Sequence, residues 1–248
     1  MTDIFDDLAA EYRQLDAVLA ALTQDQWSRP SGAEGWTVSD VVLHLTQTEE
    51  VIADPSIGEG KVLLSADESA AEATVDGLAD EMVAAERGMP AADLLVRWRT
   101  AAFATADALR AYPAGTRLSW VRAPISPRTL ATTRLAEHWA HAQDITVPLG
   151  ISYADTDRLR HVAWLAHRTL PYAFAVAGLA DAPVFCDLTA PDGTRWTFGD
   201  PAAPARITGP ASEFCRVGAR RLTPEQTSLT AEGPHAADAL RVVRNYAA

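Results

Sequence analysis

At 248 residues, with 48% hydrophobic and 22% charged residues, the chain has the composition of a folded protein able to bury a large core in one domain or two. Thirty-three acidic residues against 21 basic ones give a formal net charge of −12, a field that repels phosphate backbones and anionic lipid and argues against nucleic-acid or membrane-surface partners. No apolar run approaches the ~18 residues of a membrane span, and the acidic, amphipathic opening MTDIFDDLAAEYRQL is unlike a signal peptide, so a cytoplasmic protein is expected.

Helical periodicity dominates up to about residue 178. Ile4, Leu8, Tyr12, Leu15, Leu19 and Leu22 recur at three- and four-residue steps, which predicts a helix over 3–22 with one apolar face. The stretch TQDQWSRPSGAEGW reads as a loop. Thr37, with Asp40 three residues on, caps a second helix whose apolar positions are Val38, Val41, Val42, Leu45 and Ile52. Residues 53–75 are irregular and rich in Gly, Ala and acids, with a short helix over 76–86. Pro90 opens the next helix, lined by Leu94, Leu95, Trp98, Ala101, Ala102, Thr105 and Leu109, and YPAG closes it. Ser126-Pro127 pairs a capping hydroxyl with proline at the first helical position, starting a helix that runs to Gly150. Another follows from Asp155 to Gly178, broken or kinked near Pro171.

Beyond Gly178 the pattern changes. VFCDLTA and TRWTFG flank Asp192-Gly193 and read as a β-hairpin, followed by strand ARITG, helix GPASEFCRVGARR, strand TSLTA and helix HAADALRVVRNYA. The fold class is therefore α+β, with a helical domain over 1–178 and a small α+β domain over 179–248. Cys186 and Cys215 sit in apolar strings without CxxC spacing and are expected to behave as core hydrophobes, so any thiol chemistry needs a thiol from elsewhere.

The chemistry-bearing segment is RLAEHWAHAQDI. Glu137 and His141 lie four residues apart, one turn along a single helix face, where a carboxylate and an imidazole can chelate one ion. Asp144 continues that stripe and can orient an imidazole. His138 is rotated by about 100° from Glu137 and is expected to stand behind the ligands or face solvent. On spacing alone, Arg134, Glu137, His141 and Asp144 equally describe a solvated helix face. His44 faces inward on the second helix, where a lone histidine is commonly a satisfied core residue. Together with Glu137 and His141 it would make a two-histidine, one-carboxylate set, which leaves a tetrahedral zinc one open position.

GWTVSDVVLHL, ending just past His44, together with EHWAHAQD, resembles the mycothiol-dependent maleylpyruvate isomerase family of the DinB-like metalloenzyme superfamily. The resemblance covers nearly the whole chain. It implies a DinB-like helical bundle followed by a small α/β domain of sterol-carrier-like shape. It also implies His44, Glu137 and His141 as ligands of a divalent metal, zinc above all. TAPDGTRWTFG and RITGPASEFC point to an actinobacterial subgroup described only as metal-binding, which leaves the substrate open. The implied partners are a small electrophilic substrate and a low-molecular-weight thiol such as mycothiol. Zinc would lower the thiol's pKa from about 8.5, and the thiolate would add to an activated double bond, then leave after rotation or stay attached. A C-terminal-domain arginine contributes to the family's site. Arg221 matches it, with Arg220 as the alternative if the register slips by one; the preference of bases for a helix C-terminus is the simpler account of both. Arg97 and Arg99 are further candidates for a substrate carboxylate, and a solvated face accounts for them as well. Two other functions fit the same residues: a thiol-independent Lewis-acid lyase, hydrolase or cyclase, and a non-catalytic metal or small-ligand binder.

Overall fold

Local capping chemistry sets where the helices begin. In the computed structural model, which describes residues 3–54, 75–120 and 124–245, Asp3 accepts a hydrogen bond from the Phe5 amide at the start of α1 (Ile4–Ala21). Thr37 and Asp40 form a reciprocal capping box at α3 (Val38–Ala53), with bonds of 2.9 and 3.2 Å. Ser126 accepts from the Thr129 amide at α6 (Pro127–Leu149), and Gly150, at φ 66°, closes that helix in the left-handed region. A second capping box, Thr23 with Gln26, starts a four-residue helix α2 (Gln24–Trp27) inside the stretch expected to be loop. Helices α4 (Val75–Glu86) and α5 (Ala91–Ala111) fall where the pattern sets them. Most of the irregular stretch expected over 53–75 lies outside the described residues.

Two compact units result, residues 1–153 and 154–247. In the first, α1 packs on α5 and α6, and α3 packs on α4, α5 and α6. The apolar stripes read from the sequence form the core: Leu8, Tyr12, Leu15 and Leu19 from α1, Val38, Val41, Val42, Leu45 and Ile52 from α3, and Leu94, Trp98 and Leu109 from α5 are all buried. Helix α6 has no comparable stripe because it is buried nearly all round. Ala131, Ala136, Ala140 and Ala142 let neighbours approach closely, and Arg134, His138 and Asp144 are buried among them.

In the second unit, the helix expected over 155–178 is two helices, α7 (Leu159–Arg168) and α8 (Leu170–Val176). Pro171 sits in the first turn of α8, where its missing N–H breaks no helical bond. Both helices pack with the C-terminal elements, α7 against α9 and β2 and α8 against α10, so contacts divide the chain after Tyr153 instead of at 178. The sheet order is β2-β1-β3-β4, built from β1 (Val184–Thr189), β2 (Arg195–Phe198), β3 (Ala205–Pro210) and β4 (Thr230–Glu232). The β1–β2 hairpin turns at Gly193, φ 84°, where Asp192 accepts the Thr194 amide. The β1–β3 pair is parallel and β3–β4 antiparallel. Helix α9 (Ala211–Gly218) follows β3, and α10 (Ala236–Val242) closes the chain. Both cysteines are buried, and burial pushes the Cys186 thiol up to about 12 and raises that of Cys215 as well.

Candidate metal centre

His44 on α3 and Glu137 and His141 on α6 meet at one point. His44 Nε2 lies 3.2 Å from Glu137 Oε1, and His141 Nε2 lies 3.4 Å from the same oxygen. Among the described residues these three offer ligand atoms all within 4.8 Å of one another. Around a tetrahedral ion with bonds of about 2.0–2.1 Å, neighbouring donors sit about 3.3 Å apart, which the two distances to Glu137 Oε1 match, and the nitrogen and oxygen donors suit zinc. His44 and His141 are shielded, while Glu137 keeps a partly open side chain at 31% exposure.

The supporting groups favour electron pairs aimed at that point. His141 Nδ1 lies 2.9 Å from Asp144 Oδ2, and a proton shared there leaves Nε2 as the ring's free donor atom. Nε2 and the Glu137 carboxylate are both electron-rich, so only a proton or a cation holds them together. The titration tendencies express this. Burial works against charge on His141, but Asp144 and Glu137 outweigh it and raise its pKa above the usual 6.5. Burial likewise opposes ionisation of Glu137, yet His141, His44 and the charge of Arg134 hold its pKa well below the ordinary carboxylate value. Burial lowers the pKa of His44, keeping its ring neutral.

His138 lies on the other side of α6 and is neither exposed nor free to ligate. It is fully buried, and Trp98 Nε1 sits 3.3 Å from its Nε2. An indole N–H can only donate, so Nε2 accepts and the ring proton resides on Nδ1, 3.1 Å from the Arg134 carbonyl and 3.4 Å from Glu49 Oε1. Burial, with Arg134 nearby, keeps this histidine neutral. The solvated-face alternative fails for the same helix, because Arg134 is buried against Glu49, its Nε donating to Oε1 at 2.9 Å.

A loop that the sequence pattern left unplaced lies against these residues. Pro148 has no N–H, so the carbonyl four residues earlier, that of Asp144, lacks its helical donor. The Gly32 amide donates to it at 2.8 Å. A Cβ on Gly32 would lie 3.1 Å from Asp144 Cα and 3.2 Å from its Oδ1, so any larger residue there would press on Asp144. The docked loop ends at Trp36, whose ring lies 5.2 Å from that of His44 and 6.5 Å from that of His141, stacked on the latter, while its Nε1 donates to Asp80 at 2.7 Å. A proline inside a helix was the available signal.

The other arginines are placed differently from their expected use. Arg97 pairs with Glu50 and Glu86, and Arg99 with Asp16, so protein carboxylates already engage both. Arg220, at φ 61°, donates to the Arg241 and Val242 carbonyls at the end of α10, a capping role. Arg221 lies in the second unit just beyond α9 and donates from Nη1 to the Ala219 carbonyl at 2.6 Å.

Comparison with known proteins agrees with this architecture. A family model described as the mycothiol maleylpyruvate isomerase N-terminal domain matches residues 8–146. Two proteins described as uncharacterised, from two strains of Mycobacterium tuberculosis, are each 34% identical over 244 residues, covering 97% of this chain and 94% of their own. The crystal structure of the mycothiol-dependent maleylpyruvate isomerase is similar with a TM-score of 0.62 at 15% identity, over 94% of this chain and 99% of that one. A histidine-to-alanine mutant of that enzyme gives 0.61 at 14% identity. At these identities the likeness to the solved structures is one of fold.

Proposed function

Since this chain belongs to the mycothiol maleylpyruvate isomerase family, we propose that it is a metal-dependent enzyme that uses a low-molecular-weight thiol of the mycothiol type on a small electrophile, as isomerase or transferase. The observation that carries this reading is the convergence of two imidazole nitrogens on one carboxylate oxygen at 3.2 and 3.4 Å. His44, Glu137 and His141 would hold the ion. A divalent cation there, zinc by its donor set, would supply the positive charge that lowers the pKa of an incoming thiol and leave one position open to it. The chain's own residues prepare the site. Asp144 holds the His141 ring by its Nδ1, burial keeps His44 neutral, and Glu137 stays ionised, so His44 and Glu137 present lone pairs at neutral pH and His141 does so once Nε2 gives up its proton. The reliance on a borrowed thiol is supported by Cys186 and Cys215, both buried and held protonated. Arg221 is proposed, on family resemblance alone, to pair with an anionic group of substrate or thiol.

The test is spectroscopic. Cobalt-loaded protein should show a visible band that changes when mycothiol or a small thiol is added, because thiolate ligation alters the ligand field. A cobalt spectrum indifferent to every thiol, in protein that does hold the metal, would reject the thiol and leave a thiol-independent Lewis acid.

Asp144→Asn should lower zinc affinity by about 10- to 100-fold, the usual cost of losing a carboxylate that orients a metal-binding imidazole. The affinity of the unaltered protein should also fall with pH. The raised pKa of His141 means a proton occupies Nε2 up to a higher pH than in a free imidazole, and below that pKa the ion must displace it. Competition titration against a chelator at several pH values measures both. An Asp144→Asn affinity equal to the original would remove Asp144 from the site's support.

A further inference from the structure

We propose that Arg134, acting through Thr48 and Glu49, is a positioning residue for the metal ligands, bolting α3 to α6 one turn away from them. This rests on the metal reading above. The guanidinium crosses from α6 to α3 with two directed bonds: Nε donates to Glu49 Oε1 at 2.9 Å, and Nη2 donates to Thr48 Oγ1 at 2.8 Å. The two acceptors are adjacent residues of α3. Thr48 is one helical turn beyond His44, and its hydroxyl donates to the His44 carbonyl at 3.0 Å. Glu49 is fully buried, and its Oε1 also receives the Tyr12 hydroxyl at 3.0 Å. On the other side, Arg134 is one turn before Glu137, and its carbonyl faces the Nδ1 proton of His138 at 3.1 Å.

His44 and Glu137 are 93 positions apart in the chain and meet only because α3 and α6 are held in register. Apolar packing resists sliding weakly, since side chains of similar size can exchange neighbours. A planar, two-pronged donor with fixed acceptors cannot slip without leaving charge unpaired in the core. The brace therefore converts a buried ion pair into a definite distance between ligands on two helices.

The test compares three variants of the full chain, stripped of metal and titrated with zinc and with cobalt. Thr48→Val keeps the shape of the side chain and removes the acceptor of Nη2. Arg134→Lys keeps the charge beside Glu49 and removes the fork. Tyr12→Phe removes a hydroxyl from the same Glu49 oxygen without touching the α3–α6 link. Thr48→Val and Arg134→Lys should bind zinc about tenfold more weakly, as loss of ligand support does, with a shifted cobalt band, while Tyr12→Phe loses stability and keeps both affinity and band. Folded Thr48→Val and Arg134→Lys proteins with the original affinity and band would overturn the proposal, and so would a Tyr12→Phe protein impaired equally in metal binding, since that is general loosening. If the unaltered protein takes up no metal, the metal reading falls. The brace is then read from the ring nitrogen signals of His44 in nuclear magnetic resonance of the metal-free protein. Thr48→Val should shift them, and unchanged signals would overturn it.

Discussion

Alanine in place of His44 or His141 is expected to abolish stoichiometric metal uptake, while alanine in place of His138 is expected to leave it intact and to weaken the fold. Each of the first two removes one of three donors that meet within 4.8 Å. The loss in affinity should exceed ~100-fold, the upper end of what a supporting partner alone costs. His138→Ala does different damage. It empties a fully buried volume, strands the Trp98 N–H and takes a neighbour from Glu49, at a cost of about 3 kcal/mol from the cavity and the unmade hydrogen bond together. Elemental analysis and denaturant unfolding of the three proteins separate these outcomes. Metal lost from His138→Ala but kept in His141→Ala would show that the opposite face of α6 bears the ligand.

Glu49→Ala is expected to destabilise the helical unit by about 3–5 kcal/mol, as removal of one member of a buried ion pair does. The reason is what remains. Arg134 is 3% exposed at its side chain and stays charged, its pKa raised by Glu49 and Glu137 against the pull of burial. Without Glu49 it keeps Thr48 but no nearby countercharge on α3. The Tyr12 hydroxyl, kept protonated by burial and by the Glu49 charge, loses its acceptor too. Glu49→Gln, which retains an oxygen for both donors, should cost less, and replacing Glu49 and Arg134 together by apolar residues should recover much of the loss. Denaturant midpoints of the three variants measure this. A cost below about 1 kcal/mol for Glu49→Ala, within the range of an exposed pair, would mean that Arg134 reaches solvent.

Local chemistry was legible in the sequence and tertiary pairing was not. The caps at Thr37 and Ser126 and the glycine at 150 act within a few residues, so the starts of α3 and α6 and the end of α6 follow from composition alone. The same rule applied to Thr23 and Gln26 finds α2, which turn-forming neighbours concealed. The stripes on α1, α3 and α5 were readable because each helix buries one side. Helix α6 was ambiguous for the opposite reason: buried all round, it carries polar residues inward, and Arg134 and Asp144 resemble a wet surface until Glu49 and Gly32 arrive from distant segments. Spacing could relate Glu137 to His141 but could not bring His44 to them, and only the family resemblance joined the three. The division after Tyr153 also escaped a reading based on secondary structure, since α7 and α8 are helices that pack with a sheet-bearing unit.

Pro148 gives α6 an interruption with a use beyond its own helix. An unbroken helix offers its neighbours only side chains, because its backbone is already spent on itself. By withholding one donor, Pro148 turns the Asp144 peptide into a two-headed fitting, with a carbonyl that moors the Gly32 loop and a carboxylate that aims His141. A loop displaced from this point would leave the Asp144 carbonyl without the Gly32 amide, on the same residue whose carboxylate holds the His141 ring. One residue thus answers to two partners, the Gly32 loop through its carbonyl and the His141 ring through its carboxylate.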